Sequence, residues 1–137
     1  MEQDAADEPL QWGREQKLRL VVADDNIKVL EMLEANFENL GLSLTACGKK
    51  ADVLCQLQRA KTDALAIDQS LEGGDGIEFC MSIQGKYPDT IKLLMVDSVT
   101  REVVEARRRG IIDGYVQKPV SDTTLLEAIR NQRERAE

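Results

Sequence analysis

The stretch KLRLVVADDNIKVLEMLEANFENLG, residues 17–41, decides the fold. Residues 18–23 are a short apolar run of β type that ends at two acids, Asp24 and Asp25. The period then changes. Ile27, Leu30, Leu33, Phe37 and Leu40 recur at three- and four-residue spacing, which lines one face of an α-helix over 26–40, and Gly41 is the stop. A strand feeding directly into an amphipathic helix is the building block of a parallel sheet with crossover helices.

The alternation continues along the chain. Residues 42–47 read as a second strand, 49–59 as a second helix with Val53, Leu54 and Leu57 inward, and 64–68 as a third strand. A Gly-rich loop over 72–76 leads into a third helix, 77–86, which Pro88 breaks. Residues 91–96 are a nearly continuous apolar run, suited to a central strand buried on both faces. A helix over 100–109 closed by Gly110, a strand over 114–117 and a helix over 125–133 behind a Ser121 or Asp122 cap complete five βα units. Right-handed crossovers and short connections favour an open doubly wound sheet of order 2-1-3-4-5, with any ligand site outside the carboxyl ends of the strands.

A chain of 137 residues suits one domain with one core. The expected divisions are a flexible acidic lead-in over 1–16, carrying Leu10 and Trp12, a folded domain over 17–131, and a charged tail over 132–137. A net charge of −7 opposes direct binding to a phosphate backbone. The apolar runs fall far short of the roughly 20 residues of a membrane span, and the acidic start is unlike a secretory signal. The expected compartment is the cytoplasm. The chain has no histidine, which excludes Ser/His and Cys/His catalytic pairs and excludes the chain as a phosphohistidine donor. Cys47, Cys55 and Cys80 are odd in number, lack metal-ligand spacing and read as small buried apolar residues.

Carboxylates, hydroxyls and lysines must then carry any chemistry, and they gather where the topology puts a site. Asp24 and Asp25 follow strand one, Asp68 ends strand three, and Lys118-Pro119 follows strand five. Three carboxylates without histidine or thiolate make a hard oxygen site, suited to Mg²⁺ and a phosphate group. Taken singly, each residue has a plainer reading: Asp24 and Asp25 as caps of helix one, Lys118 as a surface ion-pair partner, Tyr115 as an ordinary strand aromatic.

Jointly these residues resemble the receiver domains of two-component response regulators. The resemblance rests on Asp24-Asp25 after a strand, on Asp68 followed at seven and eight residues by Asp75-Gly76, and on Tyr115-Val116-Gln117-Lys118-Pro119; it covers about 17–131. Each dipeptide is common, and it is their order on successive strand ends that is specific. The resemblance implies a flavodoxin-like (βα)5 fold with Asp68 as phosphoacceptor. It also implies Mg²⁺ held by Asp25 directly, by Asp24 through water, by Asp68 and by the Ser70 carbonyl, with Lys118 binding the phosphoryl oxygens. It further implies a cis Lys118-Pro119 bond and Tyr115 as an aromatic switch. Asp75-Gly76 reads as turn chemistry and a helix cap.

The sequence departs from that pattern where strand four ends. Receivers carry a threonine or serine there; this chain has Asp97, which cannot donate while ionised and would repel a phosphoryl group, with Ser98 the nearest hydroxyl. Using Ser98 needs a one-residue slip, which turns a strand side chain to the other face unless the strand has already ended. Glu72 stands where proline is common, and the connection from Asp97 to Gly110 is about two residues short of the usual length. Two hypotheses follow: a working phosphoacceptor with an altered switch, favoured because acceptor, acidic pair and lysine are all present, or a pseudo-receiver that binds partners without phosphorylation. A metal-dependent hydrolase of an external substrate is a distant third; the chain is otherwise expected not to be an enzyme beyond catalysing its own phosphorylation and dephosphorylation. The resemblance implies a sensor histidine kinase or phosphotransfer protein as donor and an output domain or target protein as recipient. It also implies a homodimer face on helix four, strand five and helix five. Arg107 to Arg109, on or beside that face, read first as a solvated helix end that complements the dipole.

Overall fold

Five strands and five α-helices alternate along residues 18–136, the part of the chain that the computed structural model describes. The expected lead-in, with Leu10 and Trp12, lies outside the described residues. In chain order the elements are β1 (Arg19–Ala23), α1 (Ile27–Asn39), β2 (Ser43–Cys47), α2 (Lys50–Arg59) and β3 (Ala64–Asp68). A 3₁₀ turn (Leu71–Gly73) and α3 (Gly76–Ser82) follow, then β4 (Ile91–Val96), α4 (Arg101–Arg108), β5 (Gly114–Gln117) and α5 (Asp122–Ala136). All the strand pairs are parallel and the order is β2-β1-β3-β4-β5, as the pattern predicts.

The two-residue period of each central strand divides the core into two layers. Leu20, Val22, Ala64, Ala66, Leu93 and Met95 face α1 and α5, where Leu30, Leu33, Phe37, Leu125, Leu126 and Ile129 are buried. Val21, Ala23, Leu65, Ile67, Leu94 and Val96 face α2, α3 and α4, where Val53, Leu57, Ile77, Cys80, Val103 and Ala106 are buried. Helices thus cover both sides, and the ends of β1, β3 and β5 remain at one edge.

Several sequence expectations are corrected. Ile27 and Leu54 keep the helical spacing but point outward, at 67% and 36% exposure, because each lies at the margin of its apolar stripe. α3 stops at Ser82 rather than at residue 86: the Ile83 N–H turns back to the Cys80 carbonyl, and Gly85, at φ 84°, reverses the chain before Pro88 is reached. α5 begins at Asp122 and runs to Ala136, longer than the apolar pattern over 125–133. Of the two candidate caps it is Ser121 that accepts, from the Thr124 N–H at 3.1 Å, while Thr124 Oγ1 accepts in return from the Ser121 N–H at 3.0 Å. The apolar run of β4 includes a buried Lys92, whose ammonium donates to the carbonyls of Thr90 (3.1 Å) and Tyr87 (3.4 Å).

The cysteines also divide: Cys47 and Cys80 are buried but Cys55 is exposed. Burial pushes the Cys47 thiol up to about 11 and the Cys80 thiol up to about 12, so neither supplies thiolate near neutrality. A thiol reagent is therefore expected to label the native protein once, at Cys55, and the denatured protein three times; mass spectrometry of labelled peptides checks it, and label on Cys47 or Cys80 in the native state contradicts the packing.

Candidate functional site

Strand register brings the acids together. Ala23 of β1 pairs with Ile67 of β3, so the next residues, Asp24 and Asp68, emerge side by side at the sheet edge. Asp24, Asp25 and Asp68 each offer a carboxylate oxygen, and these oxygens lie within 4.8 Å of one another. Asp24 and Asp68 are buried while Asp25 is exposed, which leaves one side of the cluster open to solvent.

The helix that follows is not capped by the acidic pair. Asn26 is the N-cap of α1, its side chain accepting from the N–H groups of Lys28 and Val29. That leaves the carboxylates free for other work. Asp24 Oδ1 is oriented by the Asn26 N–H at 2.8 Å, and Asp68 Oδ1 by the Ser70 N–H at 3.1 Å.

Lys118 completes the edge. Its backbone N–H donates to the Val96 carbonyl at 2.8 Å, which ties the end of β5 to the end of β4, and the Lys118-Pro119 peptide is cis. Lys118 Nζ donates to Asp68 Oδ1 at 2.8 Å. Burial alone would lower the lysine pKa, but the hydrogen bond and charge of Asp68, followed by the fields of Asp24 and Asp97, raise it above the ordinary value. Lys118 therefore stays a fixed positive charge beside Asp68.

Burial raises the Asp24 carboxyl; the Asn26 hydrogen bond opposes that, the charge on Asp68 adds to it, and the net shift is upward. A carboxyl raised on folding favours the native state below its unfolded pKa, and this contribution is lost as pH rises through the folded pKa. Ionised Asp24 thus costs stability at neutral pH. Asp24→Asn keeps an oxygen for the Asn26 N–H, so in metal-free buffer it is expected to raise the urea midpoint at neutral pH. The gain should shrink toward the pH of an ordinary carboxylate, and an unchanged or lower midpoint at neutral pH contradicts it.

The remaining candidates are placed less centrally. Asp97 lies one residue past the end of β4, its side chain 86% exposed, and touches the site only through Lys118, Oδ1 to Nζ 4.0 Å. It stands at the rim rather than as a fourth carboxylate of the cluster. Its carbonyl accepts from Gln117 Nε2 at 3.1 Å. Ser98 is exposed and also past the strand end, so the face alternation that opposed a slip from Asp97 to Ser98 does not apply to it. Tyr115 of β5 is half-buried against the layer of α2, α3 and α4, with the Arg107 guanidinium 6.0 Å from its ring centroid.

Asp75-Gly76 does what turn chemistry predicted and more. Asp75 caps α3 through the Ile77 N–H at 2.9 Å. Gly76 passes beneath the end of β3: a Cβ there would meet the Asp68 carbonyl oxygen at 2.7 Å, so only glycine lets α3 begin this close to Asp68. Two residues went unassigned in the sequence. Glu72 and Lys50 meet across the β3–α3 connection, Glu72 Oε1 accepting from the Lys50 N–H at 2.8 Å. Only the unusual residue at position 72 hinted at this, since its partner is 22 residues away.

The donor set is all oxygen and all anionic, and it lies beside a lysine; that chemistry fits a small hard divalent cation. Among the described residues no helix is long and apolar enough to cross a membrane.

Comparison with known proteins bears on the family and the fold. Residues 20–130 match the family described as the response regulator receiver domain. The DNA-binding response regulator MtrA of Mycolicibacterium smegmatis is 27% identical over 119 residues, covering 87% of this chain and 52% of that protein. The chain thus spans about half the length of this curated relative. Among solved structures, a two-component response regulator from Clostridium difficile superposes with a TM-score of 0.76 at 17% identity, covering 88% of this chain and 98% of the other. The chemotaxis response regulator CheY4 of Vibrio cholerae gives 0.74 at 20% identity, covering 85% and 99%. These likenesses show the fold.

Proposed function

The chain belongs to the response regulator receiver domain family, and from that footing we propose that it takes a phosphoryl group onto Asp68 with Mg²⁺ bound and signals through the resulting conformational change. The observation that carries the proposal is Lys118 Nζ at 2.8 Å from Asp68 Oδ1, beside the cluster with Asp24 and Asp25. A carboxylate held between a fixed cation and a metal-binding acidic pair suits a nucleophile that must approach an anionic phosphoryl group.

An Asp68 oxygen forms the new bond to phosphorus as the bond from phosphorus to the donor breaks. The leaving group is the imidazole of a sensor kinase or phosphotransfer protein, which takes up a proton, or acetate when acetyl phosphate is the donor. Lys118 then moves its hydrogen bond from Asp68 to a phosphoryl oxygen. A Mg²⁺ held by Asp24, Asp25, Asp68 and the Ser70 carbonyl would offset the negative charge gathered there. Tyr115 is the aromatic whose packing responds, and α4, β5 and α5 form the face offered to an output domain, a target protein or a second copy. Asp97 and Ser98 stand at the position that senses the phosphoryl group.

A second reading, an interaction module independent of phosphorylation, is favoured by one observation: the residue after β4 is Asp97, whose carboxylate is drawn toward Lys118. Intact-protein mass after incubation with acetyl phosphate decides between them. One phosphate adduct with Mg²⁺ and none with a chelator is expected; no adduct on folded protein in Mg²⁺ overturns the phosphoacceptor reading in favour of the second.

A further inference from the structure

Glu72 is the only non-glycine residue with positive φ among the described residues, at φ 57° and ψ 31°. Left-handed backbone is unfavourable for a side chain such as glutamate, and Gly73 and Gly74, which would adopt it freely, come immediately after. A glutamate kept there needs a contact that holds it. That contact is the hydrogen bond from the Lys50 N–H to Glu72 Oε1. It meets a need of α2, whose own N-cap residue, Lys49, makes no side-chain capping bond. The carboxylate also lies at the positive end of that helix.

The Lys50 side chain lies over Gly74, in the space a Cβ there would take, so the clasp itself is the bond from the Lys50 N–H to Glu72. The connection after Asp68 is thus gripped from outside by the first residue of α2. From inside it is held by the fully buried Leu71, by the Gly76 N–H to the Gln69 carbonyl at 2.7 Å and by the Ser70 N–H to Asp68 Oδ1 at 3.1 Å. Ser70 sits between the two grips, two residues from Asp68 and two from Glu72.

We propose that Glu72 is a positioning residue for the cation-binding edge: by capping α2 from the β3–α3 connection, its carboxylate fixes the loop that presents Ser70 beside Asp68. The inference rests on the reading of that edge as a Mg²⁺ site and adds to it a residue that touches neither cation nor phosphoryl group. The clasp makes the start of α2 and the Ser70 loop one mechanical unit, so release of Glu72 loosens the loop even though every acid of the cluster is intact.

The test is Mg²⁺ binding to the whole chain by isothermal titration, with metal-free thermal unfolding measured alongside. Glu72→Gly removes the clasp but accepts the backbone geometry; the lost cap and the relieved left-handed backbone oppose each other, so its unfolding temperature is expected to change little while Mg²⁺ binds roughly tenfold more weakly, as loss of a supporting contact does. Glu72→Asn, tolerant of the same φ but too short to reach Lys50, is expected to behave alike and serves if the glycine variant folds poorly. Glu72→Gln, which keeps an oxygen for the Lys50 N–H, is expected to retain most of the affinity. Wild-type affinity in the glycine and asparagine variants overturns the inference and leaves Glu72 as a helix cap alone. Equal loss in the glutamine variant also overturns it, since charge rather than position would then matter. A wild-type chain that binds no Mg²⁺ removes the reading beneath as well.

Discussion

Asp68→Asn is expected to abolish the phosphate adduct completely under conditions where the wild-type chain gains one. Asparagine preserves the shape of the acceptor and its local bonding, because its Oδ1 can still accept from the Ser70 N–H and from Lys118 Nζ. The nucleophilic carboxylate is lost. The substitution also relieves Asp24 of a neighbouring negative charge that raises its carboxyl. Against that relief stands a weakened bond to Lys118, which is 28% exposed and retains Asp24 and Asp97 nearby. The two effects oppose each other, so folding stability is expected to change by no more than about 1 kcal/mol. Intact mass and urea denaturation on the same sample separate chemistry from folding. An adduct that persists in a folded Asp68→Asn chain would move the acceptor to Asp24 or Asp25 and defeat the assignment.

The parts of this architecture that were legible in the sequence are those fixed by short-range periodicity. The change from strand to helix at Asp24, repeated five times, specifies the sheet, and the sheet in turn specifies that Asp24, Asp68 and Lys118 share an edge. Three dipeptides of no individual weight became informative because the topology makes their positions coincide. What periodicity could not supply is direction at its own margins. Ile27 satisfies the helical spacing and still faces solvent, and α3 ends at Ser82, ahead of Gly85's reversal and well before the more conspicuous Pro88. Contacts between distant segments were also hidden: the cap of α2 comes from Glu72, on the far side of β3, and no local rule for Lys49 or Lys50 announces it.

Asp97 is the residue whose direction strand-face reasoning left open, for a physical reason. β4 ends at Val96, and past a strand end the alternation of faces no longer dictates where a side chain points. The structure places the Asp97 carboxylate 4.0 Å from Lys118 Nζ, at the rim and mostly in solvent. This contact supports the lysine, whose pKa it helps to raise. The balance would reverse were a phosphoryl group, with nearly two negative charges of its own, to join Asp68. Like charges about 5 Å apart in a water-like dielectric repel by roughly 1 kcal/mol for each unit pair. Removing that repulsion is worth about tenfold in rate or equilibrium.

Asp97→Thr is therefore expected to speed phosphoryl uptake from acetyl phosphate about tenfold and to raise the phosphorylated fraction at steady state. It removes the charge and adds a hydroxyl that can donate to the phosphoryl group. Asp97→Asn, nearly the same shape and uncharged, separates these contributions: it should recover the electrostatic part alone. Because the carboxylate is solvent-exposed, the advantage of either variant should diminish as salt is raised. Time courses of the phosphate adduct at low and high ionic strength measure both effects. Three indistinguishable time courses, from wild type, Asp97→Asn and Asp97→Thr, would mean that the rim carboxylate exerts no control over the acceptor. A faster threonine variant whose advantage ignores salt would instead assign the control to the hydroxyl, leaving the charge of Asp97 as a bystander.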